Sequence, residues 1–174
     1  MASLPTTLWY CSGSCQLGQL LLAEAGHKLH AILLGDDAQE LIDDLHKRFP
    51  KTELKPASAQ QRRHLQRVLD YVDKPRGAFP LDKPLAMHGT DFQRTVWQAL
   101  SKVPAGKTVS YSDLAKRIGK PRSARAVAGA CAANPLAIAV PCHRVLRSDG
   151  GISGYRWGVD RKRKLLELED QLNN

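Results

Sequence analysis

Few features of this sequence call for an oxidising or membrane setting. Its 174 residues contain only four cysteines, Cys11, Cys15, Cys131 and Cys142, too few and too irregularly spaced for a disulfide framework. No apolar run approaches the ~20 residues that cross a bilayer. No basic-then-apolar leader with a small-residue cleavage site opens the chain. These absences predict a cytoplasmic or otherwise intracellular protein with no membrane partner. Acidic residues are scarce in one half. Residues 1–86 hold 11 Lys/Arg against 10 Asp/Glu, a net +1, whereas residues 87–174 hold 15 against 7, a net +8. A basic half joined to a neutral one points to a polyanionic partner for the basic half.

Residues 1–86 contain no catalytic grouping and read as a structural α+β domain. Leu8–Cys11, Gln19–Ala23 and Leu29–Leu34 have strand character, with Ala25-Gly26 as the turn between the last two. Asp36-Asp37 opens a helix over Ala38–Phe49, and Leu41, Ile42 and Leu45 share one face. Lys51–Ser58 reads as a polar connection. A second amphipathic helix over Ala59–Val72 buries Leu65, Val68, Leu69 and Val72. Residues 73–84 carry three prolines and a glycine and read as a loop with a short strand near Leu81. Cys11-x3-Cys15 followed by His27-x2-His30 approaches a zinc-finger frame. The histidine spacing falls short, however, and on a strand positions 27 and 30 point to opposite faces.

Residues 87–174 read as mostly helical. Thr90 and Gln93 form a capping box opening a helix over Phe92–Lys102, with Phe92, Val96 and Leu100 at helical spacing. Val109–Asp113 begins a second helix reaching Ile118, and Gly119 is placed to stop it. Ser123 is placed to cap a third helix, Ala124–Ala133, which ends at Asn134-Pro135. Two short helices joined by a glycine turn form a helix-turn-helix pattern. The turn region is basic, with Lys116, Arg117, Lys120, Arg122 and Arg125. The second helix of the pair, Ala-Arg-Ala-Val-Ala-Gly-Ala-Cys-Ala-Ala, has no Asn, Gln, Asp or Glu to read a base edge. Its small side chains suit close docking to DNA with little sequence readout, and they equally suit a tightly packed core helix.

Leu136–Val140 reads as a short buried strand delivering Pro141-Cys142-His143-Arg144. An isolated Cys-His pair is more often a core cysteine beside a surface histidine. A thiol beside a base and a cation can also be an activated nucleophile, because neighbours of this kind lower a thiol pKa and the thiolate is the reactive form. The loop Ser153–Gly158, rich in glycine and aromatics, can wrap a flat ligand. In the last helix, Asp160–Leu172, Glu169 falls i+3 and i+4 from Leu166 and Leu165. That spacing suits a carboxylate that orients a histidine.

Pro141-Cys142-His143-Arg144-Val145, preceded by Asn134-Pro135, closely resembles the signature of the O6-alkylguanine-DNA alkyltransferases (methylated-DNA–protein-cysteine methyltransferases). Ser110-Tyr111, Ala124-Arg125-Ala126-Val127, Gly154-Tyr155 and the Lys162…Leu165-Leu166…Glu169 helix extend the resemblance over nearly all of residues 87–174. Cys131-Ala132-Ala133-Asn134, Ser153–Gly158 and Ala31–Asp37 look most like the C-terminal half of the bacterial adaptive-response (Ada) regulators, without their N-terminal zinc module.

The resemblance implies an N-terminal α/β roll-like domain (1–86) with a small antiparallel sheet. It also implies a mostly helical C-terminal domain (87–174) that binds duplex DNA through the minor groove as a monomer. In the implied mechanism the damaged guanine is flipped out. Arg125 fills its place, with Arg122, Ser123, Ala124 and Tyr111 on the DNA side, and Tyr111 rotates the nucleotide by pressing on its phosphate. The base enters a pocket of Ser153, Tyr155, Arg156, Trp157 and Val145. Glu169 holds His143, which takes the Cys142 proton, through a water. Asn134 braces the cysteine loop, and Tyr111 donates toward guanine N3. The thiolate then displaces the base from the O6-alkyl carbon, with O4-alkylthymine as a further substrate. A thioether has no easy hydrolytic exit, so each molecule reacts once and needs no cofactor or metal.

Two other readings fit parts of the pattern. A non-catalytic DNA-binding regulator would not need Cys142, and a Cys-His-Glu hydrolase would turn over repeatedly. Arg156 and Trp157 are bulkier than the small residues many family members carry there, which predicts a pocket favouring methyl over aralkyl groups. Reaction with O6-benzylguanine, followed as loss of active thiol, is therefore expected to be slow compared with reaction on methylated-guanine duplex.

Overall fold

The computed structural model describes residues 3–173. They form two compact units, one ending at Asp73 and regaining Phe79–His88, the other taking Lys74–Ala78 and the chain from Gly89 onward. The fold is mixed α+β: a four-stranded sheet, a two-stranded one and six α-helices.

In the first unit, β1 (Thr7–Cys15), β2 (Gly18–Ala25) and β3 (Lys28–Gly35) form an antiparallel meander. The β2–β3 connection is a two-residue turn in which Gly26 (φ 54°) and His27 (φ 64°) both have positive φ. That is the backbone twist a tight hairpin needs. Leu20–Ala25 and Leu29–Leu34 are buried without interruption, so these strands are covered on both faces and show no polar alternation. α1 (Ala38–Arg48) buries Leu41 and Leu45, and α2 (Ala59–Asp73) buries Leu65, Val68, Leu69, Tyr71 and Val72. α2 lies close on β1, where a Cβ at Gly13 would meet Leu69 at 2.7 Å.

Two expectations fail in this unit. Residues 51–58 are not only a connection. Glu53–Pro56 forms β4, an edge strand parallel to β1, and its Glu, Lys and Pro residues suit an exposed edge. No strand forms near Leu81. The sheet-like contact lies at Leu85, bridged to Leu29 and held by Leu29 N–H to Pro84 O (3.0 Å) and Ala86 N–H to Leu29 O (2.8 Å). The residues of the zinc-like frame separate. Cys11 packs toward Gln61 O, and burial pushes its thiol up to about 11. His30 pairs with His88 (2.9 Å).

The second unit contains α3 (Asp91–Leu100), β5 (Val109–Ser110), α4 (Tyr111–Arg117), α5 (Ala124–Ala132), β6 (Val145–Leu146) and α6 (Val159–Asn173). Thr90 and Gln93 close the expected capping box on α3. Gly119 (φ 76°) ends α4 in a Schellman arrangement, with Gly119 N–H to Lys116 O (3.0 Å) and Lys120 N–H to Ala115 O (2.9 Å). Val109–Ser110 does not open α4. It pairs in parallel with Val145–Leu146, and the Ser110 side chain caps the helix through Asp113 N–H (3.0 Å). Ser123 makes no side-chain cap on α5. Leu136–Val140 is not a strand but a buried turn, with Ile138 at φ 71°. A β-branched residue there is strained and needs support from its surroundings.

Trp97 ties α3 to α5 through its indole N–H on Ala130 O (2.9 Å). Gly89 leaves room for that ring, since a Cβ at Gly89 would lie 2.6 Å from it. Gly89→Ala is expected to cost about 1–3 kcal/mol by overpacking, read as a lower denaturation midpoint in urea.

Candidate active site

Cys142 opens a 3-10 turn, Cys142–Arg144, between the buried turn and β6. The β5–β6 pairing fixes the exit of this segment and sets it beside Tyr111, the first residue of α4. Asn134 fixes its entry. The buried Asn134 amide donates to Val140 O (2.9 Å), Leu136 O (3.3 Å) and Cys142 Sγ (3.2 Å) and accepts from Leu136 N–H (2.8 Å). One side chain therefore clamps the strained turn and also solvates the sulfur.

His143 is fully buried, and its Nε2 meets Glu169 Oε1 at 2.7 Å. A carboxylate can only accept, so Nε2 carries the proton and Nδ1 presents a lone pair. Nδ1 has no hydrogen-bond partner among the described residues. Arg144 completes the cluster, donating to both Glu169 oxygens (2.7–3.2 Å) and to Val103 O (2.7 Å). Burial opposes the Glu169 charge, but the hydrogen bonds of His143 and Arg144, the Arg144 charge and the charge His143 gains in acid prevail and hold the carboxyl at about 2. Burial lowers the His143 pKa against the pull of Glu169, so the imidazole is neutral and able to act as a base.

The Cys142 thiol differs from its sequence-based expectation. Its pKa is raised, first by burial and then by a hydrogen bond and charge from Cys131, while Asn134 and Lys162 act in the opposite direction. The resting protein holds a thiol, not a thiolate.

A cavity of about 530 Å³ lies over the sulfur, lined by Tyr111, Ala128, Cys131, Ala132, Cys142, Arg147 and residues 153–156. Of the expected pocket residues, Ser153, Tyr155 and Arg156 line it. Trp157 and Val145 do not. Trp157 is buried against the Tyr155 ring (centroids 5.3 Å) and Val145 sits in β6. Any steric restriction of the cavity therefore falls on Arg156, which is held by Ala132 O (2.9 Å). Tyr111 hydrogen-bonds Ser153, and burial raises its pKa, so it remains a phenol donor. Arg122 and Arg125 are exposed, with Ser123 and Ala124 half-buried beside them.

Lys162 received no role from the sequence reading. It is fully buried, donates to Ser153 Oγ (3.2 Å), lies 5.9 Å from the Tyr111 ring centroid and has no carboxylate partner among the described residues. Burial lowers its pKa, against the pull of Cys131 and Cys142. The available signal was spacing: Lys162, Leu165 and Glu169 share the buried face of α6.

Residues 91–171 match the model of the 6-O-methylguanine DNA methyltransferase, DNA-binding domain. The chain is 40% identical over 136 residues to the inducible methylated-DNA–protein-cysteine methyltransferase of Bacillus subtilis, covering 78% of this chain and 75% of that one. It belongs to the methylated-DNA–protein-cysteine methyltransferase family.

A second relative, the bifunctional transcriptional activator/DNA repair enzyme Ada of Escherichia coli, is 50% identical over 160 residues, covering 92% of this chain but 45% of that protein. The chain thus spans under half the length of the Ada protein it matches. The structure of a Mycobacterium tuberculosis family member in complex with DNA superposes with TM-score 0.78 at 35% identity, over 94% of this chain and 93% of that one. Among the described residues no helix is long and apolar enough to cross a membrane, and no group of three or more His, Cys, Asp or Glu is placed to hold a metal ion.

The His143–Glu169–Arg144 cluster generates an acid-sensitivity prediction. The unfolded chain takes up a proton at His143 below pH ~6.5 and at Glu169 below pH ~4.3, where the folded chain resists both. Stability should therefore fall with pH through this range, with the Glu169 share lost between pH ~4.3 and about 2. Glu169→Gln removes the carboxylate shared by Arg144 and His143 and is expected to cost about 3–5 kcal/mol at pH 7 while flattening the dependence below pH ~4.3. Urea denaturation across the pH series measures both.

Proposed function

We propose that this chain repairs duplex DNA by transferring the alkyl group of O6-alkylguanine, mainly methyl, to Cys142 in one irreversible turnover. O4-alkylthymine is a second substrate. The observation that carries this reading is a buried cysteine on the wall of a base-sized cavity, beside a neutral histidine whose tautomer is fixed by Glu169. Residues 87–174 bind DNA and perform the transfer, residues 1–86 serve as scaffold, and the protein acts as an intracellular monomer.

In this account α5 enters the minor groove. Arg125 takes the place of the extruded nucleotide, Arg122, Ser123 and Ala124 contact the backbone, and Tyr111 turns the phosphate. The base enters the cavity between residues 153–156 and the Ala128–Ala132 face of α5. Filling the cavity excludes solvent and strengthens the fixed charges and dipoles around the sulfur. The Cys142 proton passes to His143 Nδ1 through a solvent molecule, and Glu169 stabilises the resulting imidazolium. The thiolate, supported by Asn134 Nδ2 and Lys162, attacks the alkyl carbon as the C–O6 bond breaks. The Tyr111 hydroxyl offers its hydrogen toward guanine N3, so that the leaving base does not depart as a free anion. The thioether product has no acyl carbonyl or disulfide bond to cleave, so the protein is consumed.

After incubation with methylated-guanine duplex, the protein should gain about 14 Da, confined to the Cys142 peptide, with an end point of one methyl per chain. Continued product formation beyond one equivalent would favour the hydrolase reading. Cys142→Ala should bind the duplex and transfer nothing. Lys162→Met removes the buried charge that favours the thiolate at Cys142. It is expected to slow single-turnover transfer ~10–100-fold and to move its pH–rate profile upward, read by quenched-flow assay.

A further inference from the structure

Cys131 has no part in alkyl transfer as described, yet it is the thiol nearest the chemistry. It lies one residue before the end of α5, and with Ala128 and Ala132 it forms the i, i+3, i+4 face that walls the cavity. Its thiol lies near enough to Cys142 to raise the Cys142 pKa, and both side chains line one cavity. Both residues are free thiols, largely buried but open to the same cavity, 7% and 4% exposed. The other two cysteines lie in β1, in the other unit. Asn134 connects the pair as well, taking the Cys131 carbonyl on its backbone N–H (3.3 Å) and giving its side-chain amide to Cys142 Sγ (3.2 Å).

We propose that Cys131 is a resolving thiol that closes a reversible disulfide with Cys142 under peroxide, protecting the acceptor sulfur from irreversible oxidation. The oxidant is hydrogen peroxide or an organic hydroperoxide. The ionised fraction of Cys142 attacks the distal peroxide oxygen, the O–O bond breaks, and a sulfenic acid forms with release of water or an alcohol. The Cys131 sulfur then attacks the sulfenic sulfur, its proton leaves with the departing hydroxide as water, and the S–S bond forms. In total two thiols lose two electrons and one peroxide is reduced. Exchange with an external thiol returns both cysteines to the reduced state.

Three features favour closure over further oxidation. Cys131 and Cys142 wall the same cavity and both bond to Asn134, so the second step is intramolecular and fast compared with a second peroxide encounter. Lys162 and the Asn134 amide stabilise anionic sulfur at the site of attack. The pair joins the last turn of a helix to the first residue of a 3-10 turn, element ends where the backbone gives more readily than in mid-helix. Sulfur sealed in this way cannot accept an alkyl group, so repair capacity is suspended and recoverable. This consequence rests on Cys142 being the acceptor, whereas the cross-link itself does not.

The test treats the full chain with hydrogen peroxide, then splits it into untreated and dithiothreitol-treated halves. The expected result is a loss of about 2 Da, a non-reducing peptide map that joins the Cys131 and Cys142 peptides, and recovery of most methyl transfer after reduction. Cys131→Ser, measured against its own untreated activity, should instead gain about 32 Da at Cys142 as sulfinic acid and fail to recover. Cys11→Ser should behave as the unaltered chain. A map without the 131–142 link, or equal recovery in Cys131→Ser, overturns the proposal. A link that forms in a protein unable to transfer methyl groups would uphold it and refute the repair reading.

Discussion

A single carboxylate, buried on α6, organises the second unit. Glu169 accepts from two consecutive residues, His143 and Arg144, immediately after Cys142. Burial keeps His143 neutral, and Arg144, which balances the Glu169 charge, acts in the same direction. The Glu169 contact fixes the imidazole tautomer, pins the 3-10 turn and docks α6 against it. Without Arg144 the carboxylate would be buried beside a histidine alone, and desolvation would favour moving a proton between them. With Arg144 present, the pair can wait in its neutral-base state. Burial is the main reason the imidazole stays neutral, and the neighbouring Arg144 reinforces it.

The cysteine lies where opposing influences meet. Burial and Cys131 favour the thiol, whereas Asn134 and Lys162 favour the thiolate. In the resting protein the first group prevails. On the proposed single-turnover reading this balance slows, without abolishing, loss of the sulfur to stray electrophiles, because only the ionised fraction reacts. On the proposed reading, reactivity belongs to the occupied cavity, where solvent is excluded and the fixed dipoles act at full strength. The left-handed Ile138 and the Asn134 clamp set the sulfur's position in advance.

Much of this was legible in the sequence, because it depended on local chemistry. The Thr90–Gln93 capping box, the Gly119 stop and the paired helices α4 and α5 follow from rules that act within a few residues. Cys142, His143, Asn134 and Glu169 came together as their motif and helical spacing implied. The failures share a different cause. Leu136–Val140 is apolar enough for a strand, but Asn134 folds it into a turn through contacts its hydropathy does not encode. β4 is polar because it is an edge, so it read as a loop. Val109–Ser110 is too short to be seen without its partner Val145–Leu146. Trp157 turned behind Tyr155 and left the pocket wall, and the importance of Lys162 lay in burial without a counter-charge, which no sequence displays.

On the proposed reading, burial keeps the acceptor sulfur protonated until a substrate fills the cavity. The direct measurement is the pH dependence of iodoacetamide labelling at the Cys142 peptide in the DNA-free protein, quantified by mass spectrometry. The account predicts slow labelling at neutral pH and an apparent pKa above the ordinary thiol value of about 8.5. Rapid labelling with a midpoint below pH ~7 would show a standing thiolate and contradict it.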